Sequence, residues 1–283
     1  MIDALHFLAP PVALAVLLVG IHSYLGLHVL AREVIFVDIG LSQVAALGAA
    51  LSMFWRPEGE GSLSLICSLG LCLLTAAALA LLRRWERKLS QEVLIGMTYA
   101  LASGLLVLVT DRLPHGTEHL KHAMVGNILF VSWRQVVETG LVYAAVGIVH
   151  WIFRRQFWSV STGAGVSFAW DFFFYFLFGV VITFSTHHAG VLVVFAALVA
   201  PAALARRFLS TVGAQLKAAW GIGLACMLAA FAVSYVWDLP AGPSIVALMG
   251  AVFFAVVAGA IVRDQIKSRM SSRSRSSSSH SGC

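Results

Sequence analysis

The sequence predicts an all-α, polytopic membrane protein with about nine transmembrane helices, eight being possible, and a cytoplasmic C-terminus. The 283 residues are 60% hydrophobic and 11% charged, and the mean hydropathy is +0.90. Soluble domains contain about 25% charged residues, so this composition excludes a water-soluble globular protein. Its apolar runs also reach the length of roughly 20 residues that a transmembrane helix needs.

Nine apolar runs are long enough to cross a bilayer, which predicts one helix for each. In chain order they are 8–30, 34–54, 62–83, 93–110, 136–153, 168–186, 189–206, 218–238 and 244–263. A further apolar stretch, 123–133, is too short to cross and is expected to be interfacial or re-entrant. The first run lacks the positive n-region and cleavage site of a signal peptide, so we expect it to remain in the mature chain.

Charge alternates between successive connections and predicts the orientation. Three connections, WRPEGEG, STHHAG and WDLPAGPS, contain one basic residue, Arg56, beside Glu58, Glu60 and Asp238. The basic connections between them hold Arg83, Arg84, Arg87 and Lys88, then Arg154 and Arg155, then Arg206, Arg207 and Lys217, and finally the tail from Arg263. Cytoplasmic loops carry an excess of Lys and Arg, so the C-terminus is expected in the cytoplasm and the N-terminus outside.

The chain divides into a transmembrane domain, 1–265, and a Ser/Arg-rich tail, 266–283, which is predicted to be disordered because it has nothing to bury. The cysteines form no disulfide pattern and no metal motif. Cys67 and Cys72, both in the third run, are expected to be small buried side chains.

The second run contains an ionisable residue, Asp38, about one turn from its start. An ionisable group inside a span is a functional candidate, because a bilayer makes it costly. Ser42 follows at i+4 on the same face, whereas Gln43 lies about 140° away at roughly 100° per residue. Asp38 therefore either lines a pathway with these residues or lies near the cytoplasmic end, reaches water and pairs with Arg32.

The segment HGTEHLKH carries four possible metal ligands at spacing i, i+3, i+4 and i+7: His115, Glu118, His119 and His122. Imidazoles with a carboxylate suit Zn²⁺ or a similar divalent ion. The predicted topology places them outside, near His187 and His188. They form either an outer capture site for a metal or a solvated polar loop.

Proline marks two further segments. Pro201 interrupts the seventh run and removes a backbone hydrogen bond there. Pro240, Gly242 and Pro243 predict a tight outer turn between the eighth and ninth runs.

Four segments together resemble the membrane permeases of the zinc, manganese and iron ABC importer family, the ABC-3 type. They are REVIFVDIGLSQVAALG (32–48), VGNILFVSW (125–133), LVAPAALARR (198–207), which contains Pro201 and Arg206, and DLPAGPS (238–244). The resemblance covers about residues 8–263. The last two segments, 198–207 and 238–244, both contain proline, and their combination is fairly specific for this family.

The resemblance implies the permease subunit of an ATP-driven importer of a divalent metal, zinc, manganese or iron, in a bacterial cytoplasmic (inner) membrane. It implies a permease homodimer in lipid, two cytosolic ATP-binding subunits and an extracytoplasmic solute-binding protein. It implies no tightly bound cofactor, no covalent chemistry and no nucleic acid. The chain contains no nucleotide-binding motif of its own, so ATP hydrolysis is expected from a separate chain.

The family places an Asp and a His on its second helix. Aligning Leu41 and Ser42 with the family's L-S puts Gln43 at the His position and Ile39 at the Asp position, so that Asp38 comes one residue early. The stretch 154–167 stands where the family couples to its ATPase, which implies Arg154, Arg155 and Phe157 as coupling residues.

Two other functions stay open from the residues alone. One is a proton-coupled secondary transporter that uses Asp38, although no inverted repeat supports it. The other is a membrane metalloenzyme with histidine boxes, for which the full set of boxes is missing.

Overall fold

The computed structural model describes residues 2–56, 62–85, 88–163 and 167–278. These ranges form eleven α-helices and one 3₁₀ turn, Ile128–Phe130, with no β-strand among them. The helices are α1 (Ile2–Arg32), α2 (Val37–Ser52), α3 (Ser62–Trp85), α4 (Gln91–Thr110), α5 (Gly116–Val125), α6 (Trp133–Ile152), α7 (Arg154–Ser161), α8 (Phe168–Ala189), α9 (Val191–Phe208), α10 (Val212–Trp237) and α11 (Ala241–Ser278). The all-α prediction is confirmed.

Eight of the described helices are long and apolar enough to cross a membrane: α1, α3, α4, α6, α8, α9, α10 and α11. The remaining predicted run, 34–54, forms the shorter apolar helix α2, which has 16 residues. Each of the nine predicted runs therefore corresponds to a helix. The stretch 123–133 does not cross; it forms the end of α5, the 3₁₀ turn and the start of α6.

Local sequence explains where several helices start and stop. A capping box opens α6, in which the Ser132 and Gln135 side chains satisfy each other's backbone N–H groups. Ser90 caps α4 by accepting a hydrogen bond from Val93 N. A single residue, Gly190 at φ 80°, separates α8 from α9, so these two helices form a tight hairpin.

The helix ends gather at two opposite ends of the bundle. At one end, Arg32 closes α1 and pairs with Asp171 in the first turn of α8. Because α9 returns from the far end of α8, its last turn lies at this end too, where Arg207 pairs with Asp264 of α11. We call this the basic end and the other one the opposite end.

Three glycines, which we call the glycine junction, hold the opposite end together: Gly126, Gly190 and Gly242. Gly126 and Gly190 both have positive φ, 68° and 80°. A Cβ atom on Gly190 would lie 2.5 Å from the carbonyl carbon of Val125, and Gly242 at the start of α11 packs against the same residue. Only residues without a side chain allow these backbones to meet.

Helix α2 lies inside the bundle, packed against α3, α4, α8 and α9. None of its residues is exposed. Gly48 makes its closest approach to α3, because a Cβ there would lie 2.6 Å from the Cys67 carbonyl oxygen. The small residues of this helix thus serve close helix packing.

Some predicted features extend beyond the described residues. Glu58, Glu60 and Arg87 of the charge pattern lie outside them, as do residues 279–283 of the predicted tail. The predicted domain boundary at residue 265 is not marked by a helix end, because α11 continues to Ser278.

Candidate functional site

Asp38 is the central feature of the candidate site. Its side chain lies in the first turn of α2 and is 0% exposed. Both carboxylate oxygens lack a hydrogen-bond partner within the described part of the chain. A buried carboxylate without a partner is costly in free energy, so its presence in this apolar bundle calls for a role other than stability.

The interpretation that Asp38 reaches water and pairs with Arg32 is wrong. The Arg32 Nη1 atom instead lies 2.5 Å from Asp171 Oδ1, and Arg32 Nε donates to Ser161 Oγ at 3.0 Å. The guanidinium also lies 3.8 Å from the centre of the Phe174 ring. The end of α1 faces α7 and α8, which directs Arg32 away from α2.

Ser42 joins α2 to α8. Thr186 Oγ1 donates a hydrogen bond to Ser42 Oγ at 3.0 Å, and both groups are buried. Helices α2 and α8 both run from the basic end to the opposite end, so they are parallel. Asp38 precedes Ser42 by one helical turn, and Thr183 precedes Thr186 by about one turn. Asp38 therefore lies at the level of Thr183 on α8.

At that level a third helix contributes a thiol. Cys72 Sγ of α3 donates to the carbonyl oxygen of Gly179 at 3.6 Å, and Thr183 Oγ1 donates to the same oxygen at 2.8 Å. The register of these packed helices therefore brings the Asp38 carboxyl group of α2 to about the level of the Cys72 thiol of α3 and the Thr183 hydroxyl of α8.

The third predicted pathway residue points elsewhere. Gln43 Nε2 donates to Met124 Sδ of α5 at 3.2 Å, and its Oε1 atom is buried without a hydrogen-bond partner among the residues that the structure describes. The structure therefore brings Asp38 and Ser42 onto one face toward α8, whereas Gln43 faces α5.

Sequence reasoning missed the polar residues of α3 and α8 that lie at the level of Asp38 and Ser42. Thr183 and Thr186 are three residues apart in an otherwise apolar run, which places two hydroxyls on one helix face. That spacing was a usable signal. Nothing in the sequence indicated that Cys72 faces the same position.

The predicted outer capture residues lie on and around α5 and at the end of α8. His115 precedes α5 in a left-handed conformation, and its Nδ1 atom lies 3.9 Å from Glu118 Oε2. Both side chains are more than 70% exposed. In the described ranges no group of three or more His, Cys, Asp and Glu side chains could hold a metal ion, so His119, His122 and His188 do not join them in one ligand set.

The proline segments lie at the predicted helices, but the turn before α11 is shorter than predicted, because Gly242 and Pro243 already belong to α11. Pro201 is buried inside α9, which continues through it to an exposed Arg206. Pro240 directly precedes α11, and Pro243 lies in its first turn, where its missing N–H group is not needed.

The short helix α7 holds the predicted coupling residues at the basic end. Arg154 and Arg155 are exposed, whereas Phe157 is 0% exposed and stacks on the His150 ring with centroids 4.1 Å apart. Phe157 therefore anchors α7 to the bundle, and the two arginines form its accessible surface.

Comparisons with known proteins agree with this architecture. The family model described as the ABC 3 transport family matches residues 4–260. The high-affinity zinc uptake system membrane protein ZnuB of Haemophilus influenzae is 25% identical over 253 residues, which are 85% of this chain and 93% of that protein. The structure titled PsaBC from Streptococcus pneumoniae in complex with Fab has a TM-score of 0.74 at 22% identity, covering 90% of this chain and 93% of that chain.

A further relative matches over a shorter range. The "Probable metal transport system membrane protein" of Chlamydia muridarum is 26% identical over 167 residues, which are 56% of this chain and 57% of that protein. The match thus spans little more than half the length of the Chlamydia relative. The structural likeness supports the fold alone.

Proposed function

The chain belongs to the ABC 3 transport family, and from that premise we propose that it is the permease subunit of an ATP-driven importer for a divalent metal cation. The observation that carries the proposal is Asp38, a fully buried carboxyl group whose oxygens have no hydrogen-bond partner among the described residues. These oxygens can bind a cation, and in the described ranges no Lys or Arg forms an ion pair with them. Family membership also agrees with the resemblance in the four sequence segments.

Asp38, Ser42 and Gln43 are the pathway residues of this proposal. Asp38 supplies the carboxylate and Ser42 a neutral hydroxyl on the face toward α8. Gln43, on the face toward α5, offers a separate oxygen along the pathway, since its Oε1 has no hydrogen-bond partner in the described ranges. A carboxylate with neutral oxygens binds a divalent ion weakly compared with a closed metal site. Weak binding suits transport, because the ion must leave as well as enter.

The metal is zinc, manganese or iron in this proposal, and the zinc uptake system named for the Haemophilus relative supports zinc. The permease acts as a homodimer in the bacterial cytoplasmic membrane. Cytosolic ATP-binding subunits dock at the basic end, on the exposed arginines of α7, and a metal-loaded solute-binding protein docks at the opposite end. ATP binding and hydrolysis by the ATP-binding subunits switch the pathway between outward and inward access.

The outer histidines serve as a capture region of low affinity. His115, His119 and His122 on and before α5 meet the arriving ion, assisted by Glu118 and His188. Replacing the three histidines by alanine is expected to raise the metal concentration that gives half-maximal uptake. Lys121→Ala on the same helix is the matched control. An unchanged concentration dependence in the triple variant would mean that this segment is a solvated loop.

The test is to purify the tagged chain from its native membrane and assay whatever accompanies it for ATPase activity. We expect an ATPase subunit whose activity rises with a metal-loaded solute-binding protein, and a panel of zinc, manganese and iron then identifies the substrate. Arg154→Glu with Arg155→Glu should release the ATPase, and Lys217→Glu at the same end should not. A chain that purifies alone and moves metal in vesicles without ATP would overturn the proposal in favour of proton coupling through Asp38.

A further inference from the structure

We propose that the Cys72 thiol is a ligand of the transported cation, acting together with Asp38, and that this pair gives the pathway a preference for thiophilic divalent metals. The inference rests on the proposed function, because it assigns a ligand to the metal pathway. It changes the interpretation of Cys72, which the sequence presents as a small buried side chain.

The thiol is buried, and the hydrogen bond that it donates is weak compared with a bond from its sulfur to a metal ion. Cys72 is 0% exposed and is a free cysteine. Its hydrogen bond to the Gly179 carbonyl is 3.6 Å long, and that oxygen already accepts from Thr183 at 2.8 Å. Since a thiol is a weak donor, little is lost when Sγ binds a metal instead.

A second group converges on the same place. Asp38 approaches from α2 with two oxygens that have no hydrogen-bond partner in the described part of the chain. It lies one turn before the Ser42–Thr186 hydrogen bond that fixes the register of α2 against α8. Cys72 approaches from α3 and contacts α8 one turn before Thr183. Ser42 and Thr183 each place a hydroxyl group within about one turn of this level.

Charge balance favours binding of a divalent cation by Asp38 and Cys72 together over binding by Asp38 alone. A divalent cation held by Asp38 alone would leave one uncompensated positive charge in an apolar bundle, which is costly. When the cation binds, the Cys72 S–H bond breaks, the proton leaves for water and the sulfur–metal bond forms. The thiolate and the carboxylate together then neutralise the ion.

The thiolate also sets selectivity. Thiolate sulfur prefers softer ions such as Zn²⁺, whereas carboxylate and carbonyl oxygens suit Mn²⁺. A pathway with one sulfur and one carboxylate therefore discriminates between metals that an all-oxygen pathway would treat alike.

Cobalt spectroscopy tests the ligand directly. Co²⁺ is added to the detergent-purified full chain in a Cys283→Ser background, and the near-ultraviolet charge-transfer absorption of a cobalt–thiolate bond is recorded. We expect the band in the background chain, in Cys67→Ser on the same helix and in Cys226→Ser. We expect its loss in Cys72→Ser and Cys72→Ala, each checked as monodisperse. A band that survives both Cys72 variants, or no band at all, would overturn the inference.

Metal uptake tests the selectivity and separates the inference from the proposed function. In Cys72→Ser the half-saturating zinc concentration should rise about tenfold, equivalent to about 1.4 kcal/mol, with manganese changed less than about twofold. Equal changes for both metals would overturn the selectivity. A chain that shows the Cys72-dependent cobalt band but supports no ATP-driven uptake would contradict the importer function while leaving the ligand assignment intact.

Discussion

Two aspartates in first turns of apolar helices show how strongly residue context decides function. Asp171 at the start of α8 is nearly buried and pairs with Arg32 at 2.5 Å. Asp38 at the start of α2 is fully buried and has no partner among the described residues. The first aspartate links three helices at the basic end, whereas the second has the free oxygens on which the proposed cation pathway depends.

Asp38→Asn tests the transport role at this position. The substitution removes the charge and keeps the shape, so we expect uptake of radiolabelled metal to fall at least about tenfold. Because the carboxylate makes no hydrogen bond that folding depends on, the yield and melting temperature in detergent should not fall. Asp238→Asn is the control, since Asp238 is an exposed turn residue in a left-handed conformation that asparagine tolerates. Full uptake in Asp38→Asn would reduce Asp38 to a structural charge.

Asp171→Ala tests the structural role of the other aspartate. Removing it leaves the Arg32 guanidinium buried, with a side chain only 1% exposed. Breaking a buried pair typically costs about 3–5 kcal/mol, so we expect a clearly lower melting temperature. Asp264→Ala breaks the half-exposed pair with Arg207 at the same end, which should cost at most about 1 kcal/mol. Similar losses for the two variants would contradict the assigned role of Asp171.

At the scale of helices, the sequence predicted where each element lies but not which elements face each other. The apolar runs defined nine helices, because run length alone distinguishes a span. The apolar runs gave no indication that Arg32 pairs with Asp171, 139 residues further along the chain. The same holds for the contact between Cys72 of α3 and Gly179 of α8, 107 residues apart. Asp38 and Ser42 were therefore recognisable as candidates, and the spacing of Thr183 and Thr186 indicated a polar face on α8. Only the packing shows that this face and Cys72 lie at the level of α2.

Gly242→Leu tests how tightly the glycine junction binds α11 to α5. The new side chain would collide with the Val125 backbone and displace the start of α11. We expect less monodisperse protein after detergent extraction and a lower melting temperature. Gly250→Leu on the same helix is the matched control, because a Cβ there meets nothing within 4 Å. Normal yield from Gly242→Leu would mean that the junction tolerates side chains.

On the scale of the whole molecule, the fold separates two chemically different ends. The basic end holds the charged pairs Arg32–Asp171 and Arg207–Asp264 and the exposed arginines of α7. The opposite end holds the glycine junction and the histidines around α5. The positive-inside rule predicts that the basic end faces the cytoplasm.

Reporter fusions test this orientation on the full chain. A fluorescent protein that matures only in the cytoplasm should fluoresce at the C-terminus, and an alkaline phosphatase active only outside should be active at the N-terminus. The exchanged fusions are the controls and should be inactive. The reverse pattern would place α7 outside, where no cytosolic ATPase reaches it.

The position of α2 also decides how the bilayer affects the site. At 16 residues the helix is about 24 Å long, shorter than the roughly 30 Å hydrocarbon core. A lipid-facing helix of that length would suffer hydrophobic mismatch and respond by thinning the bilayer. Since α2 has no exposed residue, surrounding helices set its environment. Membranes of different acyl-chain length should therefore tilt the outer helices while leaving the geometry around Asp38 unchanged.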